Sequence, residues 1–115
     1  MNEKDFQKKI ADKLKVNGYW VYRPNERMRK GIPDIIAIKD GIMYGYELKY
    51  TDKLKDGVLY LSHPLAAIQV ATLKEMESKG AVIGVIIGFE KMAYFFNPKE
   101  VSTIKEIKAD NIWTI

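Results

Sequence analysis

An Asp-Gly pair in the middle of the chain, Asp40-Gly41, constrains the fold more than any other feature of the sequence. It separates residues 35–38, which are mostly β-branched, from residues 42–50, which are rich in aromatic side chains. Both compositions are typical of strands, and Asp-Gly favours a two-residue turn because both positions tolerate a positive φ. The sequence therefore predicts a β-hairpin over residues 35–50.

The length of this turn decides which side chains of the hairpin face each other. If the loop has two residues, Asp34 lies directly opposite Glu47, and Lys49 projects from the same side of the ribbon. The Cβ atoms of facing residues lie roughly 4.5–5.5 Å apart, so the three charged side chains crowd one face. A three-residue loop would instead pair Asp34 with Tyr46 and remove this juxtaposition.

Two carboxylates that face each other destabilise a hairpin unless a positive charge lies between them. A divalent cation meets this need, and Mg²⁺ prefers hard oxygen ligands, of which one or two are usually carboxylates. Lys49, beside such a cation, can position or activate a water or stabilise charge on a phosphate. The alternative is that Asp34 only ends a loop, while Glu47 and Lys49 form a solvated polar pair.

Length and composition limit the class of protein. The 115 residues, 47% hydrophobic and 30% charged, predict one globular domain over residues 1–115. No apolar run approaches the roughly 18 residues of a membrane span, and no charged-then-apolar leader is present, so we expect neither a membrane partner nor secretion. The absence of cysteine excludes disulfides and thiolate metal sites and fits a cytoplasmic protein, in the host cell if the chain is viral.

The remaining periodicities place helices around the hairpin. A first helix is predicted from a cap at Asn2 to Gly18, and a second from a cap at Ser62 to Gly80. Further strands are expected at residues 19–22, 81–87 and 92–96, and a last helix at 99–109. The resulting order, α-β-β-β-α-β-β-α, predicts an α/β fold with a mixed central sheet flanked by helices.

Glu3 and a basic segment are further candidates for the functional site. Glu3 lies on the line of the first helix's buried seam, where it can join a metal cluster, or it only complements the helix N-terminus. A surface loop ahead of Asp34 carries four cations, which can bind phosphates or can simply be solvated: Arg23, Arg27, Arg29 and Lys30. The net charge of +4 permits nucleic acid binding without requiring it.

The hairpin also carries a motif that resembles a known signature. Pro33-Asp34, then twelve residues, then Glu47-Leu48-Lys49 resembles the PD-(D/E)XK signature of the restriction-endonuclease-like nuclease superfamily. Within it, the chain is most similar to small VRR-type nuclease domains and to Holliday junction resolvases of the RecU and archaeal types. The resemblance implies the restriction-endonuclease-like version of the α/β fold.

The resemblance further implies roles for individual residues. Asp34, Glu47 and Lys49 would be catalytic, and Gln69 would support the catalytic lysine or a water. The ligands of Mg²⁺, or of Mn²⁺ as a substitute, would be Asp34, Glu47, the Leu48 main-chain carbonyl and Glu3. Such resolvases act as homodimers, and the DNA here would be branched or flapped. The chain lacks the long stalk insertion of RecU, which leaves its specificity for junctions open.

Three hypotheses follow for the function. The first is a Mg²⁺-dependent, structure-selective DNA endonuclease of recombination, repair or replication. The second is a nucleic-acid-binding module that keeps the nuclease fold without the activity. The third is a structural subunit that docks its apolar C-terminal tail on a partner. Metal-dependent cleavage separates the first from the second, and a cation bound between Asp34 and Glu47 separates the first from the third.

Overall fold

The computed structural model describes residues 2–24, 31–61 and 65–98, together with the backbone of residues 112–114. Its elements follow the predicted order, with one added hairpin and one added strand. They are α1 (Glu3–Val16), β1 (Trp20–Tyr22), β2 (Ile35–Lys39), β3 (Ile42–Tyr50), β4 (Leu54–Lys55), β5 (Val58–Leu59), α2 (Ala67–Ser78), β6 (Val82–Phe89), β7 (Met92–Phe96) and β8 (Ile112–Thr114).

Six strands form one mixed sheet in the order β1-β2-β3-β6-β7-β8. The central pair, β3 and β6, is parallel, and α2 is the crossover between these two strands. All other neighbours in the sheet are antiparallel. The predicted hairpin thus occupies one half of the sheet, and β3 stands near its centre.

The β2–β3 hairpin has the predicted register. Lys39 pairs with Ile42, and at the far end Ile35 pairs with Tyr46. The two-residue turn is possible because Asp40 and Gly41 take φ values of 51° and 77°, the conformation that this hairpin turn requires. The prediction of a two-residue loop is therefore confirmed, and the three-residue alternative is wrong.

Helix α1 begins where the sequence predicts it. The Asn2 side chain accepts a hydrogen bond from the Asp5 amide at 2.8 Å, which caps the helix. Phe6, Ile10 and Leu14 are fully buried, so the apolar stripe packs against the sheet. Glu3, however, is exposed. The expectation that it lies within the buried seam is wrong, because the seam's burial begins only at Phe6, one turn into the helix.

The two faces of the sheet carry two separate hydrophobic cores. The first core lies under α1 and contains Phe6, Ile10, Ala11, Leu14, Ile35, Ala37, Leu48, Ile86 and Ala93. The second core lies on the opposite face and contains Leu59, Val85, Ile87, Tyr94 and Phe96. Alternation along β3 sends Leu48 into the first core and places Glu47 and Lys49 on the face of the second.

Helix α2 begins later than predicted. Its first residue is Ala67, whereas Ser62, the predicted cap, lies outside the described residues. Ala66 occupies the cap position, and its amide donates to the side-chain oxygen of Gln69 at 2.9 Å. That hydrogen bond satisfies an N–H that a helix would otherwise leave unpaired, which explains why a helix can start there without a serine cap.

A glycine brings α2 close to the segment that precedes β2. A Cβ atom at Gly31 would lie 2.8 Å from Thr72 Oγ1 and 2.9 Å from the Ile68 carbonyl oxygen, and Gly31 also has a φ of 84°. Only glycine accepts both conditions without strain. The chain therefore passes against α2 just before it reaches Asp34.

The sequence analysis did not predict the β4–β5 hairpin or β8. β4 and β5 pair through an Asp56-Gly57 turn, and Leu59 anchors the hairpin in the second core. The backbone of β8 pairs with β7 at the sheet edge. The predicted helix over residues 99–109 lies outside the described residues. In the described ranges, neither helix is long and apolar enough to cross a membrane.

Candidate active site

Three elements bring the predicted site residues together on the face of the second core. Asp34 directly precedes β2, Glu47 and Lys49 lie two residues apart on β3, and Gln69 lies in the first turn of α2. The hairpin register extends from Ile35–Tyr46 to place Asp34 opposite Glu47. The juxtaposition that the sequence predicted for these two carboxylates is therefore present in the structure.

The Asp34 carboxylate accepts a backbone hydrogen bond that a neighbouring strand would otherwise accept. Because β2 begins only at Ile35, it offers no backbone group to Leu48, and Asp34 Oδ2 accepts the Leu48 N–H at 2.8 Å. The N–H and carbonyl of one strand residue point to the same edge, so the Leu48 carbonyl also faces the Asp34 side. The Leu48 main-chain oxygen thus lies at the same edge as the two carboxylates.

Gln69 holds the Glu47 side chain in place. Its Nε2 donates to Glu47 Oε1 at 2.9 Å, while its own side-chain oxygen accepts from the Ala66 amide. Both ends of the amide are engaged, so the network fixes which end faces the carboxylate. The resemblance implied that Gln69 supports the lysine or a water. In the structure Gln69 contacts Glu47, and its support of the lysine or of a water stays a prediction.

Glu47 is the ionisable group of the site whose burial is the least favourable. Its side chain is 2% exposed, and its second oxygen, Oε2, has no hydrogen-bond partner among the described residues. Burial, the largest cause, together with the adjacent, negatively charged Asp34 raises the pKa of Glu47 to about 9. The charge of Lys49 opposes this rise in pKa, and the charge of Glu3 adds to it.

This donor set fits a hard divalent cation. A buried carboxylate oxygen without a partner costs free energy, and either a proton or a cation can remove that cost. Asp34, Glu47 and the Leu48 carbonyl offer only oxygen atoms, which suit Mg²⁺ or Mn²⁺. Within the described ranges, no group of three or more His, Asp or Glu side chains is placed to hold a metal. Glu3 therefore does not complete a three-carboxylate site.

Lys49 and Glu3 act on Glu47 through their charges, which have opposite signs. Lys49 is half-buried on the same face, and no ion pair joins it to Asp34 or Glu47 in the described residues. Its ammonium group is therefore available for another ligand. Glu3 comes from α1, on the opposite face, and acts on Glu47 through its charge.

Among the predicted DNA-binding residues, only Arg23 can be placed. It is exposed and directly follows β1, and its charge contributes to lowering the pKa of Asp12. Arg27, Arg29 and Lys30 lie outside the described residues. Their predicted contacts with phosphates stay predictions.

Thr51 is a site neighbour that the sequence analysis missed. It is buried two residues beyond Lys49, donates to the Tyr60 carbonyl and accepts from the Lys53 amide at 3.1 Å. These bonds fix the base of the β4–β5 hairpin beside the site. The Asp56-Gly57 pair was the available signal, since it repeats the turn chemistry of Asp40-Gly41.

Comparisons with known proteins support the fold. No family model matches the chain. No curated protein matches it either. Among solved structures, a Holliday junction resolvase, Hjc, from the archaeal hyperthermophile Archaeoglobus fulgidus matches with a TM-score of 0.67 and 21% sequence identity. The match covers 89% of this chain and 85% of that chain. The predicted fold class, a mixed central sheet flanked by helices, is confirmed, and the chain shares its fold with this Hjc.

Proposed function

We propose that the protein is a Mg²⁺-dependent, structure-selective DNA endonuclease that hydrolyses phosphodiester bonds in recombination, repair or replication. One observation carries the proposal. Two facing carboxylates, one of them buried with an oxygen that lacks a partner, lie beside a lysine in a fold shared with a Holliday junction resolvase. The VRR-type nucleases remain an equally compatible model for the kind of DNA that is cut.

The metal ligands would be the two carboxylates and one carbonyl. Asp34, Glu47 and the Leu48 main-chain oxygen would hold Mg²⁺, with Mn²⁺ as a substitute. When bound, this cation supplies positive charge that offsets charge building on the phosphate and makes nearby water more acidic. Gln69 acts as a positioning residue, because its bond to Oε1 leaves Oε2 of Glu47 for the cation.

Lys49 would act on the water and the phosphate. Its ammonium carries three N–H donors, so it can hold the oxygen of a water beside the phosphorus and donate to a phosphate oxygen. The water oxygen then forms a bond to phosphorus and loses a proton to solvent, while the bond to the leaving sugar oxygen breaks and that oxygen takes a proton from water. The role of Lys49 is thus to orient the attacking oxygen and to stabilise negative charge.

The substrate would be branched or flapped DNA. Arg23, the described member of the basic loop, is exposed where phosphates can reach it, and the net charge of +4 favours a polyanion. A homodimer with two-fold symmetry would present two such sites and could cut two strands of one junction.

A cleavage assay tests the proposal. The protein is incubated with a four-way junction, a flap and a plain duplex in Mg²⁺, Mn²⁺ or EDTA, and the products are separated on a denaturing gel. We expect cuts in the branched substrates with either metal and none in EDTA. Asp34→Asn, which keeps the side-chain shape, is the matched inactive control. Cleavage in EDTA, or by Asp34→Asn at the wild-type rate, would contradict the proposal.

One observation favours the second candidate, a binding module without activity. Each carboxylate already has one oxygen bonded within the protein, Asp34 to the Leu48 amide and Glu47 to Gln69. A site kept only for structure would show the same bonds. The same substrates separate the candidates, because a binding module shifts them on a native gel and leaves every strand intact in both metals.

A further inference from the structure

Two exposed aromatic rings lie on the same sheet face as the carboxylate pair. Trp20 is 59% exposed and Tyr22 is 41% exposed. Their rings are stacked, with centroids 6.2 Å apart and an angle of 26° between the planes. Val21, between them, packs into the first core, so alternation along β1 places both rings on the opposite face. Apolar side chains that are exposed side by side, unlike ones scattered singly, mark a surface for binding.

The strand register places this pair next to the candidate active site. Tyr22 pairs with Ile36, which lies two residues from Asp34 on the same face. Strand geometry puts the Cα atoms of Tyr22 and Asp34 about 8 Å apart. Since duplex DNA rises about 3.4 Å per base, this is a separation of two or three nucleotides. A strand whose phosphate lies at Asp34 can therefore reach the rings with a neighbouring base.

The chemistry of the pair matches an unpaired nucleobase. Aromatic rings bind bases in single strands by stacking, without reading their sequence, whereas bases inside a duplex are already stacked on each other. Arg23 follows Tyr22 directly and is exposed, which provides a cation for the phosphate attached to such a base. Aromatic faces beside a cation, close to a phosphodiesterase-type site, favour a nucleic acid strand over a protein partner.

We propose that Trp20 and Tyr22 stack the unpaired bases of the strand that enters the site, so that the substrate is DNA with unpaired nucleotides beside the cleaved bond. This inference rests on the proposed function and specifies its substrate class. A perfect duplex has no free base to offer the rings. Flaps, single-stranded overhangs and frayed ends do, and discrimination against intact duplex follows.

Binding without metal tests the inference separately from cleavage. A labelled single-stranded oligothymidine is titrated with the protein in EDTA, and its fluorescence anisotropy gives the dissociation constant. Two double variants are compared: Trp20→Leu with Tyr22→Leu keeps apolar surface but removes the aromatic faces, and Trp20→Phe with Tyr22→Phe retains them. We expect the leucine pair to lose roughly tenfold to a hundredfold in affinity and the phenylalanine pair to stay within about threefold.

Controls keep each outcome informative. A wild type that binds the oligonucleotide more tightly than the leucine pair but cuts nothing in Mg²⁺ or Mn²⁺ would contradict the nuclease proposal and leave the stacking by the two rings supported. Circular dichroism and melting temperature verify that the leucine pair is folded. Equal affinity of wild type and the leucine pair would overturn the inference. So would a dimer, seen by sedimentation, whose dissociation by the double variants accounts for the change, since the rings would then contact a second copy of the chain.

Discussion

The two faces of the central sheet use the same strand for opposite purposes. Leu48 and Glu47 are neighbours on β3 and are 0% and 2% exposed, respectively. Leu48 lies among aliphatic and aromatic side chains of the first core, where burial stabilises the fold. Glu47 lies on the other face against Asp34, with one oxygen that lacks a partner among the described residues. Equal burial thus has opposite energetic signs one residue apart.

This difference shows which face of the sheet contains a group whose burial is unfavourable. A buried carboxylate next to another carboxylate destabilises a fold unless a proton or cation joins them. In the described part of the chain, the first core contains no buried carboxylate, so neither a proton nor a cation is needed there. The second face therefore contains the carboxylates that a shared proton or a bound cation would stabilise, and perturbed ionisable groups of this kind are concentrated at functional sites.

The largest contrast between the two faces should appear when the Glu47 carboxylate is replaced by a neutral side chain. Glu47→Gln removes a proposed metal ligand, so we expect cleavage of the branched substrates to fall by more than about a hundredfold. The same change removes the like-charge conflict, so the melting temperature in EDTA at pH 8 should rise. Denaturing gels and calorimetry measure the two effects. A variant that is both inactive and less stable would break the proposed contrast between the two faces.

The matched change on the first face should have the opposite pattern. Leu48→Ala leaves a cavity in the first core and should lower the free energy of unfolding by about 2–5 kcal/mol. The Leu48 backbone, which supplies the amide for Asp34, is unchanged, so the folded fraction should still cut. Urea denaturation and cleavage at low temperature measure this. Unchanged stability would show that the first core does not depend on this side chain.

A smaller effect is expected at the residue that orients Glu47. Gln69→Ala removes the donor to Oε1 and the acceptor of the Ala66 amide, and we expect cleavage to fall by about tenfold to a hundredfold. Mg²⁺ titration of the rate should show weaker apparent metal affinity. Gln69→Glu is the control, since it keeps the acceptor for Ala66 but replaces the donor with a third carboxyl. If Gln69→Glu cuts like wild type while Gln69→Ala does not, Gln69 acts only as a helix cap.

The pH dependence of stability sharpens the comparison further. The pKa of Glu47 is raised from 4.5 to about 9 in the folded state, so between these values the folded protein binds more protons than the unfolded chain. Stability without metal should therefore fall as the pH rises from about 5 to about 9. Melting temperatures in EDTA measure it, and the difference between wild type and Glu47→Gln isolates this group. Mg²⁺ should reverse the loss at high pH.

Local turn chemistry made the hairpin predictable, whereas no local signal predicted the contacts of the helices. Asp40-Gly41 fixed the register of two strands, and with it the position of Asp34 opposite Glu47. The bond between Gln69 and Glu47 joins residues 22 apart, and no local pattern specifies which partner a helix side chain will find.

The misses have physical reasons of the same kind. The β4–β5 hairpin has only two residues in each strand, too few for a visible alternation, and its Asp56-Gly57 turn was the sole signal. Helix α2 starts at Ala67 because the side chain of Gln69, within the helix, accepts a hydrogen bond from the Ala66 amide. A serine cap of the predicted kind is therefore not needed. The pairing of β3 with β6 depends on the crossover and is set by packing.

Crystals grown with Mn²⁺ offer a decisive test of whether a cation belongs between Asp34 and Glu47. Anomalous diffraction at the manganese edge should show one peak bounded by both carboxylates and the Leu48 carbonyl oxygen, and the peak should vanish in Glu47→Gln. Well-ordered carboxylates with no peak between them, in a protein that still cleaves DNA with Mn²⁺, would contradict the assignment of the metal site.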